Sequence, residues 1–304
     1  MPEWNAEIEL AEAQVRSILG AQFPNVSLAG LSRVAEGWDN ALWVTGEGIA
    51  FRFPRRGIAL PGVEREIAVL PALAPMLPLP IPVPVWVGRP SEAFPWAFFG
   101  ARLLPGREIA DAAIDGSRDG FGSVFGRFLR ALHGADVLAA LGAGLPVDPM
   151  GRADMAVRVP RTRERLATLS AAGLWSSPRI VEDLLEEASE LGAANGLAVV
   201  HGDLNVRHVL VDEAGLPSGV IDWGDLCVAD PAVDLSLYWS VLHGRGRAAF
   251  RAAYGDGALV AGRLLRARVL ALFMGAALSS YASDVGNAPL LRETLAGLER
   301  TIRD

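Results

Sequence analysis

The sequence predicts an α+β chain, with a small β-rich front part and a larger, mainly helical back part, on three observations. Short β-like runs split by turn residues fill Val26 to Pro54 and Val83 to Leu104. Beyond Gly106, apolar residues recur at helical spacing in one segment after another. The exception, Leu197 to Leu235, consists of brief β runs broken by polar loops. Pro105-Gly106 separates the two textures and sets the expected boundary, giving domains 1–104 and 105–304.

Residues 7–20 carry apolar side chains at 8, 10, 15, 18 and 19 and run into Gly20, which predicts an N-terminal helix. Ala41 to Thr45 and Ile49 to Phe53, split by Gly46-Glu47-Gly48, form an expected hairpin, and Glu64 to Leu73 reads as a helix. The stretch Ile67 to Gly88 holds 22 residues without a charge, long enough to suggest a membrane span. Prolines at 71, 75, 78, 80, 82 and 84 deny it a continuous helix. The alternating run Pro78 to Pro84 holds the chain extended and leads into an expected edge strand, Val83 to Val87, with another strand over Trp96 to Leu104. In the back part helices are expected at Gly122–His133, Ala153–Ala172, Pro178–Ala194, Gly246–Tyr254 and Arg263–Ala282. Strands are expected at Leu197–Val200, Val209–Asp212 and Gly219–Asp222. The uncharged run Val269 to Ser283 is too short to span a membrane and reads as a buried helix.

The 304 residues are 51% hydrophobic and 21% charged, enough apolar material for one large core or two modest ones, which excludes low-complexity disorder. A net charge of −7 argues against nonspecific binding to nucleic acid or an anionic membrane and leaves room for a cationic small molecule. All 28 basic residues are arginine. A single cysteine, Cys227, cannot form an internal disulfide, and Met1 to Asn5 lack the basic start and apolar run of a secretion signal, so a cytoplasmic location is expected.

The densest polar cluster is His201-Gly-Asp-Leu-Asn-Val-Arg-His-Val-Leu-Val-Asp212, followed by Val220-Ile-Asp-Trp-Gly-Asp225. In each half an apolar strand ends in carboxylates, and loops at strand ends are exposed yet held by a rigid base. Two adjacent strand ends could bring Asp203, His208 and Asp222 to one point. Two carboxylates and an imidazole suit a divalent cation and a general base, the needs of phosphoryl transfer to an alcohol.

These residues resemble those of the aminoglycoside and macrolide phosphotransferases, antibiotic kinases whose two-lobed fold is similar to that of protein kinases. The resemblance runs from about Val34 to Trp239 and is strongest in the two loops, where Ile-Asp-Trp-Gly-Asp follows His-Gly-Asp by 19 residues and Ala229-Asp-Pro-Ala-Val-Asp-Leu235 follows in turn. It implies that Asp203 is the catalytic aspartate and Asp222 a ligand of Mg²⁺. His208 stands where most members have an asparagine; macrolide kinases and some aminoglycoside 2″-kinases are similar to this chain there, and a neutral imidazole can still ligate a metal. Asn205, two residues after Asp203, reads as a decoy. Arg52, in Phe51-Arg-Phe-Pro54, occupies the place of the phosphate-binding lysine, with Glu66 as its helix partner, and its planar head is not interchangeable with an ammonium. Glu36-Gly-Trp-Asp-Asn40 resembles the phosphate-covering turn, which makes Gly37, Asp39 and Asn40 nucleotide-binding candidates. Phe99 to Leu104 resembles the hinge that reads a purine edge through its backbone, with Ala101 and Leu103 as the reading residues.

Plainer roles are expected elsewhere. His201 braces the loop through a backbone hydrogen bond, and His133 packs or caps at a helix end. Asp212 ends a turn, Asp225 flanks the second motif, and Asp230 and Asp234 anchor the following helix. Trp223 packs beneath the metal site, Cys227 is a buried thiol, and Arg161, Arg163 and Arg165 form a solvated helix face. The resemblance implies a phosphotransferase using ATP or GTP with Mg²⁺ on a hydroxyl of a small molecule, an aminoglycoside or macrolide, as a monomer or weak dimer. Kinases of amino alcohols or sugars, and a nucleotide-binding scaffold, are the alternatives.

Overall fold

In the computed structural model, which describes residues 6–36, 39–112, 114, 118–194 and 196–303, the chain divides into two units: residues 1–75 with 80–104, and residues 76–79 with 105–304. The first begins with α1 (Glu12–Gln22) and continues through β1 (Ser32–Glu36), β2 (Asn40–Val44), β3 (Ile49–Pro54), α2 (Leu60–Leu73), β4 (Trp86–Gly88) and β5 (Phe98–Arg102). Its strands form one antiparallel sheet in the order β1-β2-β3-β5-β4, so the strand after the proline run lies at an edge. Alternation along the strands divides the sheet between two helices. Phe51, Phe53 and Phe98 cluster with Val15, Ile18 and Leu19 of α1, while Phe99 and Ala101 cluster with Val63 of α2. Arg52 lies one residue off the Phe51 and Phe53 positions and opposite Phe99, which sets it on the α2 side. The N-terminal helix starts at Glu12 and not near residue 7. The amides of Glu7 and Ile8 both donate to the Arg55 carbonyl, 2.8 and 3.0 Å, so this stretch runs alongside the end of β3.

The second unit contains β6 (Arg107–Glu108), α3 (Asp119–Leu132), α4 (Ala135–Leu141), α5 (Met155–Ala171), α6 (Arg179–Ser189) and β7 (Ala198–Val200). There follow β8 (Val209–Val211), β9 (Pro217–Val220), β10 (Cys227–Ala229), α7 (Ser236–Ser240), α8 (Gly244–Tyr254), α9 (Ala261–Asp284) and α10 (Ala288–Ile302). Two small antiparallel sheets, β10-β7 and β6-β8-β9, are set among the helices. Helix α9 is long and apolar enough to cross a membrane, but half of its apolar window is buried inside the protein. Its Val269, Leu272 and Ala276 join Met155, Val159, Leu166 and Leu169 of α5, Val181 and Leu185 of α6, and Leu298 of α10 in one core, so it serves as the central helix of this unit. The last helix had no counterpart among the expected elements. Its buried side includes Thr294, Gly297 and Thr301, which hide the apolar period.

Helices α3 and α8 meet backbone to backbone. A Cβ added at Gly122 would lie 2.2 Å from the Gly246 carbonyl oxygen, and one at Gly126 would lie 2.8 Å from that of Phe250. Phe125 fills the space beside this crossing, its ring 5.9 Å from that of Phe250.

The turn leaving β7 is held by a buried carboxylate. Asp234 accepts from the amides of His201 at 2.7 Å and Gly202 at 3.0 Å, and lies 3.2 Å from His133 Nε2. Burial alone would raise its pKa, but the hydrogen bond and charge of His133, with His201 beside it, hold the carboxyl below the usual range. Asp234 therefore anchors the loop before it, whereas Asp230 caps the following turn by accepting from the Ala232 amide. His201 stacks against Trp223 with ring centroids 4.6 Å apart. Its Nε2 donates to the Ile221 carbonyl at 3.0 Å. Burial pushes its pKa down to about 4, so the ring folds neutral.

Two expectations follow. Gly122→Ala forces α3 and α8 apart and should cost about 1–3 kcal/mol, read as a lower denaturant midpoint. His201 takes up a proton near pH 6.5 when unfolded and only near 4 when folded. Its contribution is therefore fully present above pH 6.5 and should decline by about 3 kcal/mol as the pH falls toward 4, with a shallower decline in His201→Gln.

Candidate active site

The polar loops of the second unit grow from paired strands. Val209 of β8 stands opposite Val220 of β9, and one residue outside that pair the Ile221 amide donates to the His208 carbonyl at 2.9 Å. The ladder thereby fixes His208 and Asp222 side by side. Asp222 adopts φ +65, a left-handed conformation that aspartate tolerates better than most residues. Gly202 has φ +90, and a Cβ there would meet the Asp225 carbonyl oxygen at 2.2 Å, so the His-Gly-Asp turn requires its glycine.

The structure brings Asp203, His208 and Asp222 together. His208 Nδ1 lies 2.7 Å from the Asp203 carbonyl oxygen, 3.6 Å from Asp203 Oδ2, and its Nε2 lies 3.6 Å from Asp222 Oδ2. A carbonyl can only accept, so Nδ1 carries a proton; Nε2, which faces Asp222, is then the nitrogen that would offer its lone pair to a metal. A lone pair and a carboxylate oxygen facing one point suit a divalent cation. Among the described residues no cluster of three or more His, Cys, Asp or Glu side chains forms a closed metal cage. Mg²⁺ commonly needs none, because it takes one or two protein ligands and fills the remainder with phosphate oxygens and water.

The Asp203 carboxyl is raised to about 6, first by burial and then by Asp225 and Asp222, against the opposing pull of His208 and Arg152. Its side chain remains 31% exposed, and solvent tempers the effect of burial. A carboxylate of raised basicity suits a group that accepts a proton from an alcohol.

Neighbouring residues have other tasks. Asn205 donates to the Asp203 carbonyl at 3.0 Å and accepts from the Arg207 amide at 2.9 Å, which ties the loop to itself. Asp212 accepts from the amides of Ala214 and Leu216, both at 2.9 Å, and closes a turn. Asp225 pairs with Arg152 at 2.7 Å. Cys227 is buried, which pushes its thiol up to about 12 and leaves it inert. The arginine face of α5 is solvated as expected: Arg161 and Arg165 are exposed, Arg165 over the Phe273 ring at 5.4 Å, and the half-exposed Arg163 pairs with Glu182.

Arg152 is absent from the sequence-derived candidates. A lone arginine in a loop some 50 positions before the motif carries no local signal of its partners.

In the first unit, Arg52 Nη1 donates to Glu66 Oε1 at 2.9 Å, with Glu66 fully buried. With its amide oxygen turned toward the guanidinium, Asn40 accepts from Arg52 Nε at 3.3 Å and Nη2 at 2.9 Å. Asp39 pairs with Arg56 at 2.9 Å. Gly37 lies outside the described residues. Ala101 stands opposite Ala50 in the sheet, and the Leu103 amide donates to the Gly48 carbonyl at 2.9 Å.

A family model described as the phosphotransferase enzyme family matches residues 30–270. The fold is similar to that of solved antibiotic phosphotransferases. One is the GDP and kanamycin complex of APH(2″)-IIIa, with a TM-score of 0.69 at 19% identity, covering 95% of this chain and 98% of that one. A macrolide 2′-phosphotransferase type I aligns with a TM-score of 0.62 at 24% identity, covering 97% and 98%. MphH, a macrolide 2′-phosphotransferase from Brachybacterium faecium, aligns at 0.61 and 22%, covering 95% and 98%. An uncharacterized protein of Bacillus subtilis (strain 168), YcbJ, is 43% identical over 44 residues, 14% of either chain. These structural likenesses are of fold, a two-part α+β build with a small antiparallel sheet and a larger helical part. The family match extends over both motif loops and well over half of the sequence: the chain belongs to the phosphotransferase enzyme family.

Proposed function

We propose that the chain transfers the γ-phosphoryl group of ATP or GTP to a hydroxyl of a small molecule, with an antibiotic as the acceptor class. The observation that carries this reading is the meeting of Asp203, His208 and Asp222 at adjoining strand ends, His208 within 3.6 Å of both carboxylates. On it, Asp203 orients the acceptor hydroxyl and takes its proton, while His208 and Asp222 hold Mg²⁺. The ion, when bound, neutralises charge on the phosphate oxygens. Arg52, braced by Glu66 and Asn40, grips the nucleotide phosphates in the first unit. Asn40 acts through Arg52, and Asp39 is engaged by Arg56. The purine falls to the extended segment after β5, but not to the two backbone positions expected: the Leu103 amide is committed to the Gly48 carbonyl and Ala101 is paired with Ala50 in the sheet. A cytoplasmic site of action and a monomer or weak dimer accord with this reading.

Asp203→Asn should reduce transfer by about 10²–10⁴-fold with nucleotide affinity retained by calorimetry, and full activity would refute the assignment. Arg52→Lys loses the forked contacts to Asn40 and should weaken nucleotide binding by about tenfold; identical affinity and turnover would mark the exchange as neutral. With Mg²⁺ and either nucleotide, at least one macrolide or aminoglycoside of a broad panel should be phosphorylated. Binding of nucleotide without turnover across a broad panel would favour the scaffold reading.

A further inference from the structure

Resting on that phosphotransferase reading, we infer that Arg152 is a positioning residue that holds the Asp203 carboxylate in its working orientation. Its Nη2 lies 2.7 Å from Asp225 Oδ2 and 3.9 Å from Asp203 Oδ1, with 14% of the side chain exposed. Asp203 thus has a guanidinium on the side of one carboxylate oxygen and the His208 ring on the side of the other. Without the guanidinium, Asp225 would repel Asp203, and little would fix the torsion of its carboxylate.

The loop that presents Arg152 is built around that task. Asp148 adopts φ +29, in the left-handed region that aspartate tolerates better than most residues, and its carboxylate accepts from the amides of Arg152 at 2.7 Å and Ala153 at 2.9 Å. From below, Arg158 Nη2 donates to the carbonyls of Met150 at 3.1 Å and Gly151 at 3.4 Å. The Asp148 amide donates to the Val228 carbonyl at 2.9 Å, and the Val228 amide to that of Pro146 at 2.9 Å, which ties the loop to β10 just after Asp225. Two side-chain braces and a strand contact together fix one arginine beside one aspartate. Such a construction exceeds what a surface ion pair needs.

A plain tether between the loop and Asp225 would have the same contacts, and the two roles differ in consequence. If Arg152 only ties the loop to Asp225, removing either partner has the same effect. If it acts on Asp203, Arg152→Met is much the worse, because Asp225→Asn leaves the guanidinium beside Asp203.

The test measures Asp203-dependent phosphate release from GTP and ATP with Mg²⁺, water serving as the acceptor, alongside thermal melting and nucleotide affinity. Arg152→Met should lower kcat by about 10²-fold with nucleotide affinity within about twofold of the unmodified protein. Asp225→Asn should lower it by about threefold, and guanidinium ion added to Arg152→Met should restore part of the rate. Equal losses in the two variants, or no rescue from a protein that melts normally, overturn the inference alone. Absence of Asp203-dependent turnover in the unmodified protein overturns the phosphotransferase reading and this inference with it.

Discussion

The geometry of the second unit depends on the buried carboxylate of Asp234. It gathers the amides of His201 and Gly202 and the ring of His133, three donors that would otherwise be buried without acceptors. Breaking such an arrangement from one side typically costs about 3–5 kcal/mol, because the remaining groups are left without partners. The hold extends further than its own contacts. His201 spans from this anchor to the Ile221 carbonyl, one residue before Asp222. One fully buried charge thus sets the starting point of the loop that carries Asp203 and, through an imidazole, reaches the loop that carries Asp222.

Much of this was legible in the sequence where short-range rules apply. The resemblance named Arg52 and Glu66 as partners, and the structure pairs them at 2.9 Å, with Glu66 buried in α2. The two loop motifs located Asp203, His208 and Asp222 because strand ends repeat a simple order of apolar and acidic residues. Long-range partners were not legible. Nothing in Ala229 to Leu235 distinguishes an aspartate that caps its own turn, Asp230, from one that reaches back 33 residues to the His201 amide, Asp234. The start of α1 was misplaced because Ile8 and Leu10 belong to the first unit's core without belonging to its helix. Helix α10 escaped because threonine and glycine occupy its buried side.

A net charge of −7 leaves room for a cationic small molecule but does not say where the charge lies. Around the His-Gly-Asp loop several acids are matched locally: Asp225 with Arg152, Glu108 with Arg207, Asp230 with Arg263, and Glu293 with both Arg118 and Arg300. Part-buried pairs of this kind fix geometry more than they add stability. Bulk charge therefore says little about the field near Asp203, and the rest of the acidity resides elsewhere on the chain.

The fork formed by Arg52 with Glu66 and Asn40 has a practical consequence for detection. Nucleotide-derived acyl phosphates and sulfonyl esters label kinases by reacting with a side-chain amine beside the phosphates. This sequence has no lysine, and a guanidinium that remains protonated at all ordinary pH is a poor nucleophile. If Arg52 holds the nucleotide phosphates as proposed, surveys that count kinases by covalent tagging of that amine would pass over this protein.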